Sequence, residues 1–489
     1  MGVPKALRWV GRGIVGILLL GVVAVLLLVA PVEHGTYEGT AYHRATRSRL
    51  EDLATARRAA PTGDLRCGFG RSVLTPTIGA AQDDAERGLF RAVPLAGYGD
   101  REGRPATGRV EELWVKAVAW ECGGRTGVVV SADALIVPRE VAEIALKRLE
   151  AETGLGLGQV YLGATHTHCG PGGWGQGWVA EAFAGGFVPG VREWMASRIV
   201  EAAKAALGDL TPSSAGSGVF EAPEFTRNRL VGDKGRIDPR FSLLVIQQDD
   251  GHRAVVGCYA AHATVLSGRM MDFCGDYPGY WQQAVEAATG GMAMFLAGAV
   301  GSHAPKPPEG GLAGAKAMGE RLAERTVAAV NAVRLERRPA WDMQALEVDL
   351  PPLQWRLADG LKLREWAARR LFPVRPVTWL QYLRLGDFVW LSTPCDYSGE
   401  LAMELADATR ETGVKTAVTS FNGDYVGYVV PVRHYAMNTY ETRIMSFFGP
   451  QLPGYFDALL KDLVRVAATD SATATGPAAG APAVAAPAR

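Results

Sequence analysis

The chain has 489 residues, with 51 basic against 51 acidic side chains, 48% hydrophobic residues, 59 glycines and six cysteines. This balance excludes a collagen-like, disulfide-scaffold or wholly disordered chain. Zero formal charge without a basic run speaks against binding to nucleic acid. The length suits one to three domains with ample core, and the glycine content points to many tight strand-to-loop turns.

Residues 1–12 carry Lys5, Arg8 and Arg12, and residues 13–32 read GIVGILLLGVVAVLLLVAPV without a charge. A bilayer span takes about 20 apolar residues, so a single N-terminal transmembrane helix is expected over 13–32. The positive-inside rule keeps the basic flank cytosolic and sends the rest to the extracytoplasmic side, periplasmic or extracellular. A cleaved signal sequence and a buried core helix are the alternatives, although Leu28-Val29-Ala30 followed by Pro31 is a poor cleavage site. Residues 33–65 hold Arg44, Arg47, Arg49, Arg57 and Arg58 among alanines and acids, and read as a juxtamembrane spacer with a solvated face. Residues 66–466 form the expected folded body. Residues 467–489 are mostly Ala, Pro, Thr and Gly, too poor in large apolar groups to offset ordering entropy, and read as a disordered tail.

Within the body, apolar β-rich runs alternate with amphipathic stretches. Helices are expected near 141–153, 194–207, 280–288, 315–333, 399–412 and 455–466. Strands are expected near 114–121, 126–132, 159–164, 241–247, 254–260, 293–297, 380–383, 388–392 and 415–419. The pattern predicts an α/β fold with a mixed β-sheet core covered by helices. A translocated body would meet an oxidising compartment. Even so, Cys67, Cys122, Cys169, Cys258, Cys274 and Cys395 match no zinc-knuckle spacing, and most read as small core residues.

Several apolar runs lead straight into residues that bear chemistry. VYLGA precedes Thr165-His166-Thr167-His168, VVGCYAA precedes His262, and MFLAGAV precedes Gly301-Ser302-His303. FVWLSTP reaches Cys395-Asp396, and TAVTSF precedes the stretch from Asn422 to Tyr428. Ligands of α/β sheets bind at the carboxyl ends of strands, so these five ends are expected to converge on one cleft. His166 and His168 are two apart, which places both rings on one face of an extended backbone. Imidazole suits a borderline-soft divalent ion, and one ring can coordinate while the other acts on substrate. Taken singly, the histidines also fit hydrogen-bonded core residues, and Asp396 fits a cap for the helix starting near Gly399.

The segment Ala164-Thr165-His166-Thr167-His168-Cys169-Gly170-Pro171-Gly172-Gly173 closely resembles the Ala-Thr-His-Thr-His-Ser-Gly-Pro-Gly-Gly segment of the neutral, non-lysosomal ceramidase family. Gly97-Tyr98, Trp114 to Ala117, Val130 to Asp133, Asn228-Arg229, Ala261-His262, Gly275 to Tyr280, Asp424 to Tyr428 and Tyr440-Glu441 through Pro450 resemble further family elements in the same order. The resemblance covers roughly residues 66–466. It implies a zinc ion held by His166, His262, Asp396 and Tyr428, with His168 and Arg229 facing the substrate amide or its developing oxyanion; Arg227 is a rival for that arginine. The chain departs from the pattern with Asp396 in place of the family glutamate and Ala304 in place of the family serine. Too few residues follow 466 for the family's carboxyl-terminal β-sandwich.

The expected function is that of a membrane-anchored, zinc-dependent hydrolase of an N-acyl amide, a ceramide-like lipid above all, which would place the chain in sphingolipid metabolism. Its expected partners are that substrate and the membrane. Zinc chemistry activates water and so removes the strict need for a serine nucleophile. Arg229 would stabilise the oxyanion, and His168 would shuttle a proton. Tyr428 serves as ligand or hydrogen-bond donor, and Ser302 or His303 stands in for the missing serine. The alternatives are a zinc hydrolase of an ester or envelope amide, and a catalytically weak envelope binding protein whose metal is structural.

Overall fold

Strands buried on both faces are expected to read as near-continuous apolar runs, and those runs here become the spine of two sheets. The structure, a computed structural model, describes residues 5–56, 63–372 and 374–469. The first sheet comprises β1 (Arg66–Val73), β2 (Trp114–Cys122), β3 (Arg125–Ala132), β4 (Val160–Ala164), β5 (Thr211–Glu221), β6 (Arg240–Gln248), β7 (Arg253–Tyr259) and β8 (Met292–Ala297). Its eight strands lie in the order β8-β7-β6-β5-β1-β2-β3-β4. The outermost pairs, β7 with β8 and β3 with β4, are parallel, and the inner pairs are antiparallel. The second sheet has four strands in chain order: β9 (Trp341–Asp349), β10 (Val377–Leu385), β11 (Phe388–Ser392) and β12 (Lys415–Thr419), of which only β11 and β12 run parallel. The architecture is the mixed α/β sheet covered by helices that the pattern predicts.

The first sheet curls until its two ends meet. Ser131 on β3 donates to the carbonyl of Phe295 on β8 (2.6 Å), and Gly163 on β4 faces Leu296 on β8 so closely that a Cβ would lie 2.2 Å from Cδ2. The second sheet docks against this seam. Tyr161 on β4 shares a 2.5 Å hydrogen bond with Thr419 on β12, and Ser420 N donates to Ala297 O at 3.0 Å. The carboxyl ends of β4, β7, β8, β11 and β12 are thereby gathered at one corner.

Three strands of the two sheets escape the apolar signal: β9, which reads WDMQALEVD, and the glycine-rich β1 and β5. β1 reads RCGFGRSV and β5 reads TPSSAGSGVFE, both of which resemble loops in composition. In β1 and β5 the glycines explain it. A Cβ on Gly68 or Gly70 would lie 2.1 Å from Ala206 O or 2.2 Å from Ala202 O, both on the helix Pro189–Gly208, and one on Gly216 would lie 2.2 Å from Arg334 O. Backbone-to-backbone packing replaces side-chain packing at these points. All six cysteines are buried.

The amino-terminal segment corrects the expected transmembrane helix and single-pass localisation. Helix α1 spans Lys5–Leu28, so its charge-free part runs only from Gly13 to Leu28. At 1.5 Å per residue those residues reach about 24 Å, short of the ~30 Å hydrocarbon core. The chain then leaves the helix: Val29–Pro31 pairs antiparallel with Leu361–Leu363. Among the described residues, no helix is long and apolar enough to cross a membrane. Helix α2 (Ala41–Ala56) follows and docks by its buried Thr46 and Leu50, with Thr46 Oγ1 accepting from Asp349 N on β9 at 2.9 Å. The final helix, Gln451–Ala468, buries Ala467 and Ala468. Arg57 and Arg58 of the expected spacer, and residues 470–489 of the expected tail, lie outside the described residues.

Candidate metal centre

His166 leaves the end of β4 with φ of 62°, in the left-handed region, and its ring stacks on Phe421 at 4.0 Å between centroids. Phe421, just past β12, is itself left-handed at 68°. Such conformations cost non-glycine residues of order 1–3 kcal/mol and persist where the surroundings enforce them, often at functional sites. His262 follows β7, and its ring centroid lies 4.5 Å from that of His166.

The hydrogen bonds determine where the imidazole protons are. Nδ1 of His166 lies 2.7 Å from Leu135 O, and Nδ1 of His262 lies 3.1 Å from Val300 O. A carbonyl only accepts, so each Nδ1 carries the hydrogen and each Nε2 is left with a bare lone pair in the neutral ring. These two Nε2 atoms face each other at 2.9 Å. A proton between them would charge a buried ring. Burial disfavours this, holding His166 down to about 3 and His262 well below the usual imidazole range, with Arg229 adding to the effect.

Asp396 completes the group from the second sheet. The short parallel pair Asp396–Tyr397 with Tyr428–Val429 sets Asp396 directly opposite Tyr428. Oδ2 accepts from Tyr425 Oη at 2.7 Å, whereas Oδ1 is buried without a hydrogen-bond partner. Oδ1 lies 3.6 Å from His166 Nε2 and 3.5 Å from His262 Nε2. Burial raises the Asp396 carboxyl to about 7, against the lowering effect of Tyr425 and Arg229. His168 Nε2 is 3.4 Å from His166 Nε2, and Tyr428 Oη is 3.3 Å from His262 Nε2. The nitrogens of His166, His168 and His262 all lie within 4.8 Å of one another. His166 Nε2 and His262 Nε2 present bare lone pairs to each other beside the Asp396 carboxyl, an arrangement that a cation among them relieves, so this buried donor set fits a metal ion.

The remaining site residues separate into two groups. Arg229 lies beside the donors: Nη2 donates to Tyr428 Oη at 3.2 Å, and Nε and Nη2 meet Glu441 Oε1 at 2.7 and 2.6 Å. Arg227, its rival, is exposed on the short strand opposite Ala304. Ser302 and His303 are fully buried behind the donors. His303 Nε2 accepts from Asp238 N at 2.7 Å, so its Nδ1 is the protonated nitrogen and donates to Ser302 Oγ at 2.8 Å. Ser302 Oγ also accepts from Ser398 at 2.8 Å. Both side chains belong to this internal network, and neither lines the cleft. Reasoning from sequence passed over Tyr425, Phe421 and Glu441 as site residues. Tyr425 and Glu441 stood inside resembling segments, whereas nothing local marked Phe421.

The donors open on a narrow cleft, where His166, His168, Asp396 and Tyr428 meet Tyr440 and Met445. Ile136, Phe183 and Tyr425 are shared with an adjoining groove walled by Trp174, Val179, Phe372 and Phe447. The arginines of that groove are neutralised: Arg139 pairs with Asp424 and Glu143, Arg375 with Glu143, and Arg192 lies 3.8 Å from Glu140. An apolar trough with balanced charge therefore leads to the donor group.

Residues 77–305 match the family described as neutral/alkaline non-lysosomal ceramidase, N-terminal. The neutral ceramidase of Mycobacterium tuberculosis is 26% identical over 222 residues, and that of Pseudomonas aeruginosa 27% identical over 232 residues. These alignments cover 42% and 44% of this chain and 34% of each relative, so the match spans about a third of the relatives' length. The crystal structure of the Pseudomonas aeruginosa neutral ceramidase superposes with a TM-score of 0.70 at 20% identity, over 86% of this chain and 77% of that one. A ceramidase complexed with C2 superposes with the same TM-score and coverage at 18% identity. The chain is a divergent homologue of the neutral/alkaline non-lysosomal ceramidases, matched in sequence over their N-terminal domain.

Proposed function

We propose that the protein is a metal-dependent hydrolase of an N-acyl amide, with a ceramide-like lipid as substrate and zinc as the ion. The observation that carries this reading is the donor group: His166 Nε2, His262 Nε2 and the unpartnered Asp396 Oδ1 face one another at 2.9–3.6 Å at the foot of an apolar groove. These three residues would hold the ion, with Tyr428 and His168 beside them. A divalent ion at such a site supplies Lewis acidity, which polarises a carbonyl and makes water a competent nucleophile near neutral pH.

The chain's own residues supply the rest. Arg229, held by Glu441, carries a fixed positive charge toward Tyr428, where it can stabilise charge developing on the substrate carbonyl oxygen. Burial raises the Tyr428 phenol well above its ordinary value, so it keeps its proton and can donate to the same oxygen. His168 sets an imidazole nitrogen 3.4 Å from His166 Nε2, where it can pass a proton from water to the leaving amine. The apolar walls of the groove would take the acyl chain, at about 0.8 kcal/mol per methylene buried. Ala304 offers no hydroxyl, and Ser302 is engaged with His303 and Ser398. Both observations support water, rather than a serine, as the nucleophile.

The test is to purify the full chain, measure bound metal, and assay fluorescent ceramide and simple N-acyl amides with and without chelator. Turnover abolished by chelator and restored by zinc is expected, and His166→Ala should lose both metal and turnover. Unchanged metal content in His166→Ala would refute the assignment. Because metal-activated water is generic and the pocket selects the substrate, a second reading has another acyl substrate cleaved, whereas Ala304 and Asp396, in place of the serine and glutamate that the resemblance implies, favour a catalytically weak binding protein. Turnover of esters without amides would select the second reading, and stoichiometric metal without turnover of any acyl substrate would point to the binding protein.

A further inference from the structure

Arg101 is 1% exposed, and none of its hydrogen bonds goes to a carboxylate. A guanidinium has five N–H donors, and here there is an acceptor for each. Nε donates to Gly268 O at 3.3 Å, Nη1 to Ala96 O at 2.9 Å and to His168 O at 2.5 Å, and Nη2 to Met270 O at 2.9 Å and to Cys169 Sγ at 3.4 Å. Burying a cation without a counter-ion is costly, so this fork of carbonyls points to a geometric task.

The acceptors belong to three loops that meet behind the donor group. One holds residues 96–101. The second carries His168 and Cys169 after β4. The third, with Gly268 and Met270, follows His262 after β7. The first loop also presses on the His168 ring directly. A Cβ on Gly97 would lie 2.6 Å from Cγ and Nδ1 of His168. The Tyr98 ring lies 4.7 Å from the His168 ring, its hydroxyl donates to Leu266 O at 2.6 Å, and Arg101 sits 4.9 Å over its face. Lysine could not replace this fork, having three donors radiating from a single point.

We infer that Arg101 is a positioning residue: its guanidinium locks the His168 loop to the loop following His262, and so sets where the His168 ring stands relative to His166 and His262. The kinetic part of this inference rests on the hydrolase reading, whereas its metal-binding part does not.

The experiment uses the full chain with Arg101→Met, Arg101→Lys and Tyr98→Phe, the last removing only the hydroxyl bond to Leu266. Cobalt(II) alone is the spectroscopic probe, read by its absorption bands and by competition with a chelator; kcat and KM on a fluorescent N-acyl amide and Tm are measured alongside. Each folded variant should still take up metal through His166 and His262, but with altered cobalt bands. A drop in kcat of about a hundredfold in Arg101→Met and about tenfold in Arg101→Lys is expected, with KM changed by less than about threefold. If Arg101→Met does not fold, the lysine and Tyr98 variants decide. Wild-type cobalt bands with wild-type kcat in Arg101→Lys would overturn the inference, as would a loss of kcat matched by an equal rise in KM. If the unaltered chain turns over no amide, the hydrolase reading falls and the cobalt bands alone decide the role of Arg101.

Discussion

The two sheets bring different chemistry to the cleft. The eight-stranded sheet and its loops contribute nitrogen: the rings of His166, His168 and His262, and the guanidinium of Arg229. The four-stranded sheet and its loops contribute oxygen: Asp396, Tyr425, Tyr428 and Glu441. The nitrogen side is oriented by backbone, since the Nδ1 atoms of His166 and His262 donate to Leu135 O and Val300 O. On the oxygen side a side chain orients Asp396, which accepts from Tyr425, and Glu441 reaches across to hold Arg229 of the nitrogen side. The family match covers residues 77–305 and ends before the oxygen side begins. The nitrogen side by itself groups His166, His168 and His262 within 4.8 Å of one another, and docking of the second sheet brings Asp396 and Tyr428 beside them.

Four measurements would break or sharpen this comparison. The largest effect is expected from removing the link between the halves at Arg229. Arg229→Gln should lower kcat by about 10²–10³-fold, as loss of an oxyanion donor does, while metal content stays intact; loss of metal instead would show that Arg229 builds the donor group. Tyr425→Phe leaves every donor in place but frees Asp396 to turn, and its metal affinity should fall by about 10–100-fold in chelator competition. An equal loss from altering the His262 loop without touching ligands would mean that the oxygen side is no softer than the nitrogen side.

The third measurement is pH. In the metal-free protein Asp396 titrates near 7, raised by burial, against the ordinary carboxylate value of about 4. A raised folded pKa contributes stability that is present below about pH 4 and lost as pH rises through 7. The three buried imidazoles have depressed pKa values, so their contribution is present above about 6.5 and lost as pH falls. An ion must displace the Asp396 proton below pH 7, so zinc affinity should weaken about tenfold per unit there, and the rise in Tm on adding zinc should grow from pH 5 to 8. A zinc-induced shift that is flat over that range would remove Asp396 from the donor set. The smallest effect is expected at the seam between the sheets: Tyr161→Phe deletes the bond to Thr419 and should cost about 0.5–1.5 kcal/mol in denaturant unfolding, with no change in metal stoichiometry.

Much of this was legible in the chain itself where the information was local. The apolar runs that became β2, β3, β4, β6, β7, β8, β11 and β12 carry their strand signal within a few residues, and the histidine doublet sits immediately after one of them. The glycine-rich β1 and β5 read as loops because their partner is a helix or chain backbone pressed against them, which no propensity encodes. The apolar run 13–32 read as one continuous span, yet the helix stops at Leu28 because Val29–Pro31 finds Leu361–Leu363, more than 300 residues away.

The amino-acid sequence alone determined which side chains were available for chemistry and which short segments would become strands, because side-chain identity and hydrophobic periodicity act over a turn or a few residues. Only the tertiary structure decided which of them share a cleft: Asp396 beside His166 and His262, Arg229 between Tyr428 and Glu441, Ser302 and His303 turned inward, and Arg101 behind His168. Those placements depend on two sheets curling and docking so that groups hundreds of residues apart meet within about 4 Å, and burial then sets the charge each one carries.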